Sequence, residues 1–392
     1  MGSCRRCVVR LAVWIICWLV SAAPLLLAAT DPSTGSSQGE SGAADLNNRG
    51  ITEARAGRFE VGIDYLRQAL RADPKDPLLR TNLSGMLTDW ALQLERQGKL
   101  DEAEQALLEA SVLDGSNAQS LAALGDLAYF KRSDFDRAIS FWTRAHARMP
   151  GPERRALADR ISQAQRDREI ERKFRSEATA HFEIRIPPPG NLTVTELGSL
   201  LEELYAQLAT ELGGGPSKIT VILYTGGDLH RTYNQRDWAL GFYDGRLRLL
   251  WDEVGAELQR PVIAHELAHA FLHHRYGDPL PIWVHEGFAQ LHEGARPREP
   301  EEQQIEERVI SGAAWVPLKW LDRHFSQPSG SDDLWRAYVQ SRLVVAELVK
   351  RHGMERMNAF LDGLSKGATV ETAYEQAFAP ARWARTDRTI FE

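Results

Sequence analysis

The chain has 392 residues, of which 43% are hydrophobic and 26% are charged, and its formal net charge is -7 at pH 7. A chain of this length and hydrophobic content can bury two cores, so we expect two folded domains. The excess of acidic side chains argues against nucleic acid and against anionic lipid headgroups as partners.

The first 29 residues have the pattern of an export signal. Three arginines precede an uncharged apolar run of 19 residues, 11–29, which ends in small side chains. This pattern predicts that residues 1–29 are a signal peptide, although a run of this length can also stay in the chain as a membrane anchor. Both alternatives predict an exported protein that is periplasmic, secreted or anchored to the membrane. Removal of the segment changes the net charge from -7 to -10, because it takes away three arginines and no acids.

All three cysteines of the chain, Cys4, Cys7 and Cys17, lie in this N-terminal segment. The remaining sequence therefore needs no disulfide bond and offers no thiolate to a metal ion.

Residues 30–44, rich in serine, glycine and acids, are expected to form a flexible linker. Residues 45–150 contain about three copies of a helical hairpin pattern. Its recurring alanines, Ala69, Ala110 and Ala145, are 41 and 35 residues apart, close to the tetratricopeptide period of about 34 with an insertion in the second copy. We expect an all-α tetratricopeptide (TPR) solenoid whose concave surface binds a protein partner; a spacer or self-association module is the alternative.

The next segment, residues 151–177, is heavily charged. Its acidic and basic side chains alternate, which indicates a solvated connecting helix rather than a nucleic-acid-binding patch. We therefore expect a helix that leads from the repeats to a second domain at 178–378. The start of that domain carries strand patterns at 181–186 and 218–224. A helical pattern lies between them, at 193–212.

Residues 261–275 carry the most informative pattern, HExxH on an apolar helical stretch that opens with Pro261. His265 and His269 are four residues apart, so they share one face of a helix and can bind a single zinc ion. Glu266 is rotated away from that face, where it can take a proton from the water that attacks a substrate. The pattern predicts a zinc hydrolase with one zinc ion per chain.

A catalytic zinc site needs a third protein ligand and keeps one position open. Glu286 is the main candidate, because it lies 17 residues after His269 near the start of a second predicted helix. The neighbouring His285 is its competitor, since imidazole is a common zinc ligand. The longer motif HExxHxxGxxH is excluded, because Leu272 and Arg275 occupy its glycine and third histidine positions.

The segments His-Glu-Leu-Ala-His at 265–269 and Pro-Ile-Trp-Val-His-Glu-Gly-Phe-Ala at 281–289 resemble the gluzincin metallopeptidases. They are most similar to the bacterial peptidase MA-like branch, which is often fused to TPR repeats, and weaker patterns extend the resemblance over roughly residues 178–378. It implies an α+β zincin-like domain with a small mixed sheet, the HExxH helix and C-terminal helices. It also implies that His265, His269 and Glu286 bind the zinc ion. The general base that it implies is Glu266.

Three accessory features are expected beside the metal. Gln290 and Glu293 follow Glu286 on one helical face and can accept the second ring proton of a ligating histidine, unless that face is only solvated. Tyr338 is the candidate for stabilising the developing oxyanion, because the resemblance implies a helix near the cleft there, although such a ring often only packs. The third feature is a hairpin signal, Asp244-Gly245. The resemblance implies that residues 246–251 after it form an edge strand that pairs with a peptide substrate, an ordinary surface hairpin being the alternative.

The sequence after Glu286 is mostly helical. Its amphipathic stretches lie at 299–311, 333–352, 354–365 and 369–378 and are expected to wall the cleft. Residues 379–392 lack a clear period and are expected to be a mobile tail.

These features predict a zinc metallopeptidase of the cell envelope that acts on a peptide or protein substrate. Two alternatives remain open at this point. One is a non-catalytic TPR scaffold that carries a metallopeptidase-like domain, and the other is a zinc amidase that acts on a cell-wall amide. Motifs do not separate peptide from other amide substrates, because cleft shape is not legible from them.

Overall fold

The computed structural model describes residues 38–188, 194–225, 240–251, 256–277, 280–294 and 300–378. The chain divides between Arg172 and Lys173 into two compact units, and each is described by itself. The predicted signal or anchor segment 1–29, the first part of the predicted linker and the predicted tail 379–392 lie outside the described residues. Among the helices that are described, none combines the length and the hydropathy needed to cross a membrane.

The first unit is built from helices. They are α1 (Gln38–Arg55), α2 (Phe59–Ala72), α3 (Pro77–Arg96), α4 (Leu100–Leu113), α5 (Ala118–Asp126), α6 (Phe135–His146) and α7 (Gly151–Glu171). Helices α3, α5 and α6 are each capped at their first turn by the residue before them, Asp76, Asn117 and Asp134 respectively, whose side chain accepts a backbone N–H group of that turn. Short turns join α1 to α2 and α3 to α4, whereas a π-helical segment, Leu127–Lys131, follows α5 before the chain turns into α6. The two helices of each pair pack together. The unit therefore contains three consecutive helical hairpins.

Small residues allow the paired helices to approach closely. A Cβ atom on Gly50 would lie 2.9 Å from the carbonyl oxygen of Gly62, and a Cβ atom on Gly125 would overlap the ring of Trp142. The Trp142 side chain is fully buried, and its indole N–H donates to the Asp126 carboxylate at 3.0 Å. Close packing between the two helices of a hairpin therefore requires glycine at positions 50 and 125.

The first helix begins earlier than the sequence indicates. Residues 30–44 are predicted as a linker, whereas α1 starts at Gln38. Ala43 is buried and packs with Ala69 and Leu79. Tertiary packing stabilises this helical turn although its composition is typical of a linker, so the predicted boundary is wrong here.

Helix α7 is shorter and more deeply packed than the predicted connecting helix 151–177. It ends at Glu171, and the first strand of the second unit starts at Arg175. Asp167 and Glu171 are fully buried, and the hydroxyl of Tyr129 donates to Asp167. Part of α7 therefore packs against the preceding hairpin, and some of its charged side chains are buried instead of solvated.

The second unit contains a mixed sheet of five described strands. They are β1 (Arg175–Ala178), β2 (Phe182–Ile186), β3 (Ile219–Tyr224), β4 (Gly241–Tyr243) and β5 (Leu247–Leu250). The order across the sheet is β1-β2-β3-β5-β4. The inner strands β2, β3 and β5 run parallel, while β1 and β4 are antiparallel to their neighbours. The strands predicted at 181–186 and 218–224 are confirmed.

The hairpin at Asp244-Gly245 is present, but the predicted edge position of residues 246–251 is wrong. In the described sheet, β5 lies between β3 and β4, so its backbone groups are paired on both sides. All four residues of β5 are buried, and such a strand is stable in the interior of a sheet. The edge position belongs to β4, the short first strand of the hairpin.

Helices surround this sheet and extend beyond it. They are α8 (Val194–Leu212), α9 (Ala256–Tyr276), α10 (Ile282–His292), α11 (Pro300–Ile310), α12 (Leu318–Ser326), α13 (Ser331–Ser365) and α14 (Val370–Phe378). Helix α9 starts before the predicted residue, which places Pro261 inside it. The backbone of α13 breaks at Gly353, where φ is 78°, so its halves match the predicted stretches 333–352 and 354–365. Helix α12 is an element that the sequence pattern did not indicate.

The core of the second unit joins the sheet to α8, α9, α10 and α13. On α9, Ile263, Leu267 and Phe271 are buried in that core, as their helical spacing predicts. His265 and His269 project from another side of α9, toward α10, and they are buried as well. Helix α9 is therefore buried on two sides, so the polar side chains on its second side lie away from solvent.

The contact between Gly125 and Trp142 predicts a large effect for a small substitution. Gly125→Ala should lower the free energy of unfolding by about 1–3 kcal/mol, because the added methyl group overlaps a buried ring and outweighs the better helix propensity of alanine. Gly115→Ala is the matched control, since nothing lies within 4 Å of its Cβ position. Thermal and denaturant unfolding of both variants checks this, and equal stability of the two would contradict the packing argument.

Candidate metal centre

Helix α9 brings His265 and His269 to one face. Their Nε2 atoms lie 3.2 Å apart, and the side chains are 0% and 6% exposed. The four-residue spacing accounts for this, since residues i and i+4 stack on the same side of a helix. Both imidazoles therefore present a ring nitrogen to one point between α9 and α10.

Helix α10 supplies a carboxylate to the same point. The Oε2 atom of Glu286 lies 3.6 Å from Nε2 of His265 and 3.8 Å from Nε2 of His269. The three side chains can each offer one ligand atom, and these atoms all lie within 4.8 Å of one another. Ligands bound to zinc at about 2.0–2.1 Å in tetrahedral geometry are separated by about 3.3 Å. The observed spacing therefore fits a zinc ion.

The carboxylate of Glu286 gives an independent test of this fit. Its side chain is 1% exposed, and neither oxygen has a hydrogen-bond partner among the described residues. A buried carboxylate without a partner is costly, so a group is expected to bind it. Burial raises the pKa of Glu286 to about 8, although the charge of His265 lowers it. A divalent cation bound here would compensate this charge and favour the ionised form.

Glu293 fixes the orientation of the first histidine. Its Oε1 atom lies 2.8 Å from Nδ1 of His265, and both side chains are buried. A proton on Nδ1 donated to Glu293 leaves Nε2 as the free lone pair, which faces Glu286. Burial lowers the pKa of His265, but the hydrogen bond to Glu293 and nearby acids raise it to about 9. Of the two residues predicted for this role, Glu293 makes the contact, while Gln290 is a buried neighbour on α10.

Glu266 is buried beside the three metal-binding candidates. Burial raises the pKa of its carboxyl group to about 7, while the charge of His265 and the backbone N–H of Tyr243 lower it. Tyr243 lies on β4, so the edge of the described sheet borders this carboxylate. The position of Glu266 next to His265 on α9 is the one expected for a base that acts beside the metal rather than on it.

His269 differs from its partner histidine. Burial lowers its pKa well below the ordinary value, and the charges of His265 and His285 lower it further. The ring of His285, the alternative third ligand, lies 5.9 Å from the ring of His269 between centroids. The described group of potential ligands contains Glu286 and not His285.

Tyr338 lies on α13 and is 3% exposed. Its ring packs edge-on against Phe325 at 5.0 Å and obliquely against Trp335 at 6.1 Å between centroids. These contacts describe a packed ring, and the predicted role of Tyr338 at an oxyanion stays a prediction.

The sequence pattern missed the residue that lets α10 come close to α13. A Cβ atom on Gly287 would overlap the backbone of Ser341 and crowd the side chain of Val345. Gly287 follows Glu286 directly, so the helix that carries this carboxylate packs closely against α13 one residue after it. A glycine inside a predicted helix was the available signal, because such a glycine usually has a packing reason.

A family comparison matches the part of the chain that contains this site. The profile of the Peptidase MA superfamily matches residues 253–380, about a third of the chain. The matched segment includes α9 and α10, and hence His265, His269 and Glu286. It supports a metallopeptidase MA-like domain in the second unit. No curated protein sequence matched the chain.

The contact between Glu293 and His265 predicts a loss of metal affinity on its removal. Glu293→Ala should weaken zinc binding by about 10- to 100-fold, because the imidazole loses the partner that sets its tautomer and orientation. Competition with a chromophoric chelator measures this.

Glu211→Ala is the matched control for that variant. It also removes the carboxylate partner of a histidine on α10, because Oε2 of Glu211 lies 2.6 Å from Nε2 of His292. Its zinc affinity should stay close to that of the wild type. Equal losses in the two variants would mean that the effect comes from loosening α10 and not from orienting His265.

Proposed function

We propose that this protein is a zinc-dependent metallopeptidase of the gluzincin type that acts in the cell envelope. The observation that carries the proposal is the convergence of the buried side chains of His265, His269 and Glu286 at ligand distance, with Glu266 adjacent on α9. The match of residues 253–380 to the Peptidase MA superfamily supports peptide hydrolysis as the reaction.

The chain's own residues divide the work. His265, His269 and Glu286 would hold the zinc ion, which when bound supplies a Lewis acid for the scissile carbonyl and lowers the pKa of water. Glu266 takes the proton of the attacking water and then delivers it to the nitrogen of the leaving amine. Glu293 keeps the proton of His265 on Nδ1, so that Nε2 stays available as a ligand.

The first unit and the N-terminal segment suggest where the enzyme works. We infer that the three helical hairpins are TPR units that bind a protein partner or a segment of the substrate. The short turns of the first two hairpins, the close approach of Gly50 to Gly62 and the contact of Gly125 with Trp142 support this assignment. Export, by a cleaved signal peptide or with residues 1–29 kept as a membrane anchor, rests on the arginines and the apolar run of that segment.

The central experiment compares the wild type with Glu266→Gln and Glu286→Ala. Glu266→Gln should retain one zinc ion per chain but lower the rate of casein hydrolysis by about 10²- to 10⁴-fold, because the proton acceptor is lost while the ligands remain. Glu286→Ala keeps the two histidines, so it should bind zinc much more weakly than the wild type, with a residual affinity that chelator competition still measures, and it should lose activity. Metal analysis and hydrolysis are measured on the same samples, and a chelator should abolish activity of the wild type.

Other outcomes select among the alternatives. Normal hydrolysis by Glu266→Gln would show that the base is another residue. Stoichiometric zinc in the wild type with hydrolysis of cell-wall amides, and not of peptides, would favour a zinc amidase. Absence of zinc from the wild type would favour a scaffold that carries a metallopeptidase-like domain.

A further inference from the structure

The helix that carries Glu286 lacks a cap from its own sequence. The residue before its first turn is Pro281, which makes no side-chain capping bond to α10. The first N–H groups of a helix have no partner within the helix, so buried ones need an acceptor from elsewhere. Asp322 on α12 supplies it: its Oδ2 accepts from the backbone N–H of Ile282 at 3.1 Å and its Oδ1 from that of Trp283 at 2.9 Å.

This contact lies close to the metal ligand. Helix α10 has only 11 residues, and Glu286 is the fifth of them, one turn beyond the two bonded N–H groups. Each oxygen of Asp322 is bonded to a different residue of the first turn, so the carboxylate restrains both the position of α10 along its axis and its rotation. Either movement would displace the Glu286 carboxylate from His265 and His269.

Burial raises the pKa of Asp322, while hydrogen bonds from the two backbone N–H groups lower it. The ionised carboxylate is the form that accepts both N–H groups, so these two bonds favour the charged side chain.

We propose that Asp322 is a positioning residue for the metal centre: it fixes the first turn of α10 and so sets the place at which Glu286 meets the metal ion. The inference rests on the proposed function, in that Glu286 is taken as a zinc ligand. Asp322 is separated from the capped residues by 39 and 40 positions, so no local motif reveals it.

The test measures zinc affinity of the full chain, by competition with a chelator, under conditions in which circular dichroism shows each variant folded. Asp322→Asn should bind zinc about ten-fold more weakly, because an amide nitrogen now faces one of the two N–H groups and the helix shifts. Glu202→Gln is the matched control. Glu202 also accepts a backbone N–H, that of His181 at 2.8 Å, but it lies on α8. Its zinc affinity should be unchanged.

Two further variants separate positioning from a merely structural role. In the Glu286→Ala background, Asp322→Asn should cause no additional loss of zinc affinity, since the ligand through which it acts is gone. Adding Pro281→Asp to Asp322→Ala places an N-cap acceptor in α10 itself, at a residue whose φ of -56° and ψ of 146° suit a cap. This double variant should recover most of the zinc affinity that Asp322→Ala loses. It also provides the test if Asp322→Asn fails to fold.

The outcomes distinguish this inference from the proposed function. Wild-type zinc affinity in Asp322→Asn, a further loss in the Glu286→Ala background, or no recovery by Pro281→Asp in a folded protein would each overturn the positioning role while the peptidase proposal stands. A wild type that binds zinc without hydrolysing peptides would leave the positioning role supported by the affinity series and overturn the peptidase. A wild type that binds no zinc would overturn both.

Discussion

Five titratable side chains lie together in the interior of the second unit. The free-energy cost of burying their charges is the main constraint on the packing around them. The five side chains are His265, Glu266, His269, Glu286 and Glu293. Carboxylates in an apolar core destabilise a fold unless hydrogen bonds or a cation compensate them. The charge of Glu293 is compensated by its hydrogen bond with His265, while the Glu286 oxygens have no hydrogen-bond partner among the described residues. A divalent cation bound here would therefore compensate a buried charge in the interior of this unit.

Helix α10 concentrates these requirements in a short segment. With Glu293, the residue that caps its C-terminus, it supplies a metal-binding candidate, the acid that orients a histidine of α9, and a glycine that brings it against α13. These three functions occur within eight residues, from Glu286 to Glu293. A shift of α10 would alter metal geometry, imidazole orientation and packing together, so contacts at its ends have effects at the metal.

The structure brings together four residues that the sequence singles out, His265, His269, Glu286 and Glu293. Helical spacing is local and relates His265 to His269 and Glu286 to Glu293, whereas Glu286 itself is indicated by its distance along the chain and by the family resemblance. The edge assignment of residues 246–251 failed because β5 pairs in parallel with β3, a contact distant in sequence. The start of α1 and the contact of Asp322 with α10 were missed for the same reason, since packing against remote residues determines both. For Tyr338 the structure gives packing contacts and leaves its catalytic role a prediction.

The donor set of two imidazoles and one carboxylate leaves the choice of metal to its surroundings. Such nitrogen and oxygen ligands bind Cu²⁺ more tightly than Zn²⁺, and they also accept Co²⁺ and Ni²⁺. No thiolate is present after Cys17 to bias the site toward softer ions. Under the proposed export, the chain would meet whichever ions the space outside the cytoplasm contains. The identity of the ion at this site would then depend on the compartment as much as on the protein.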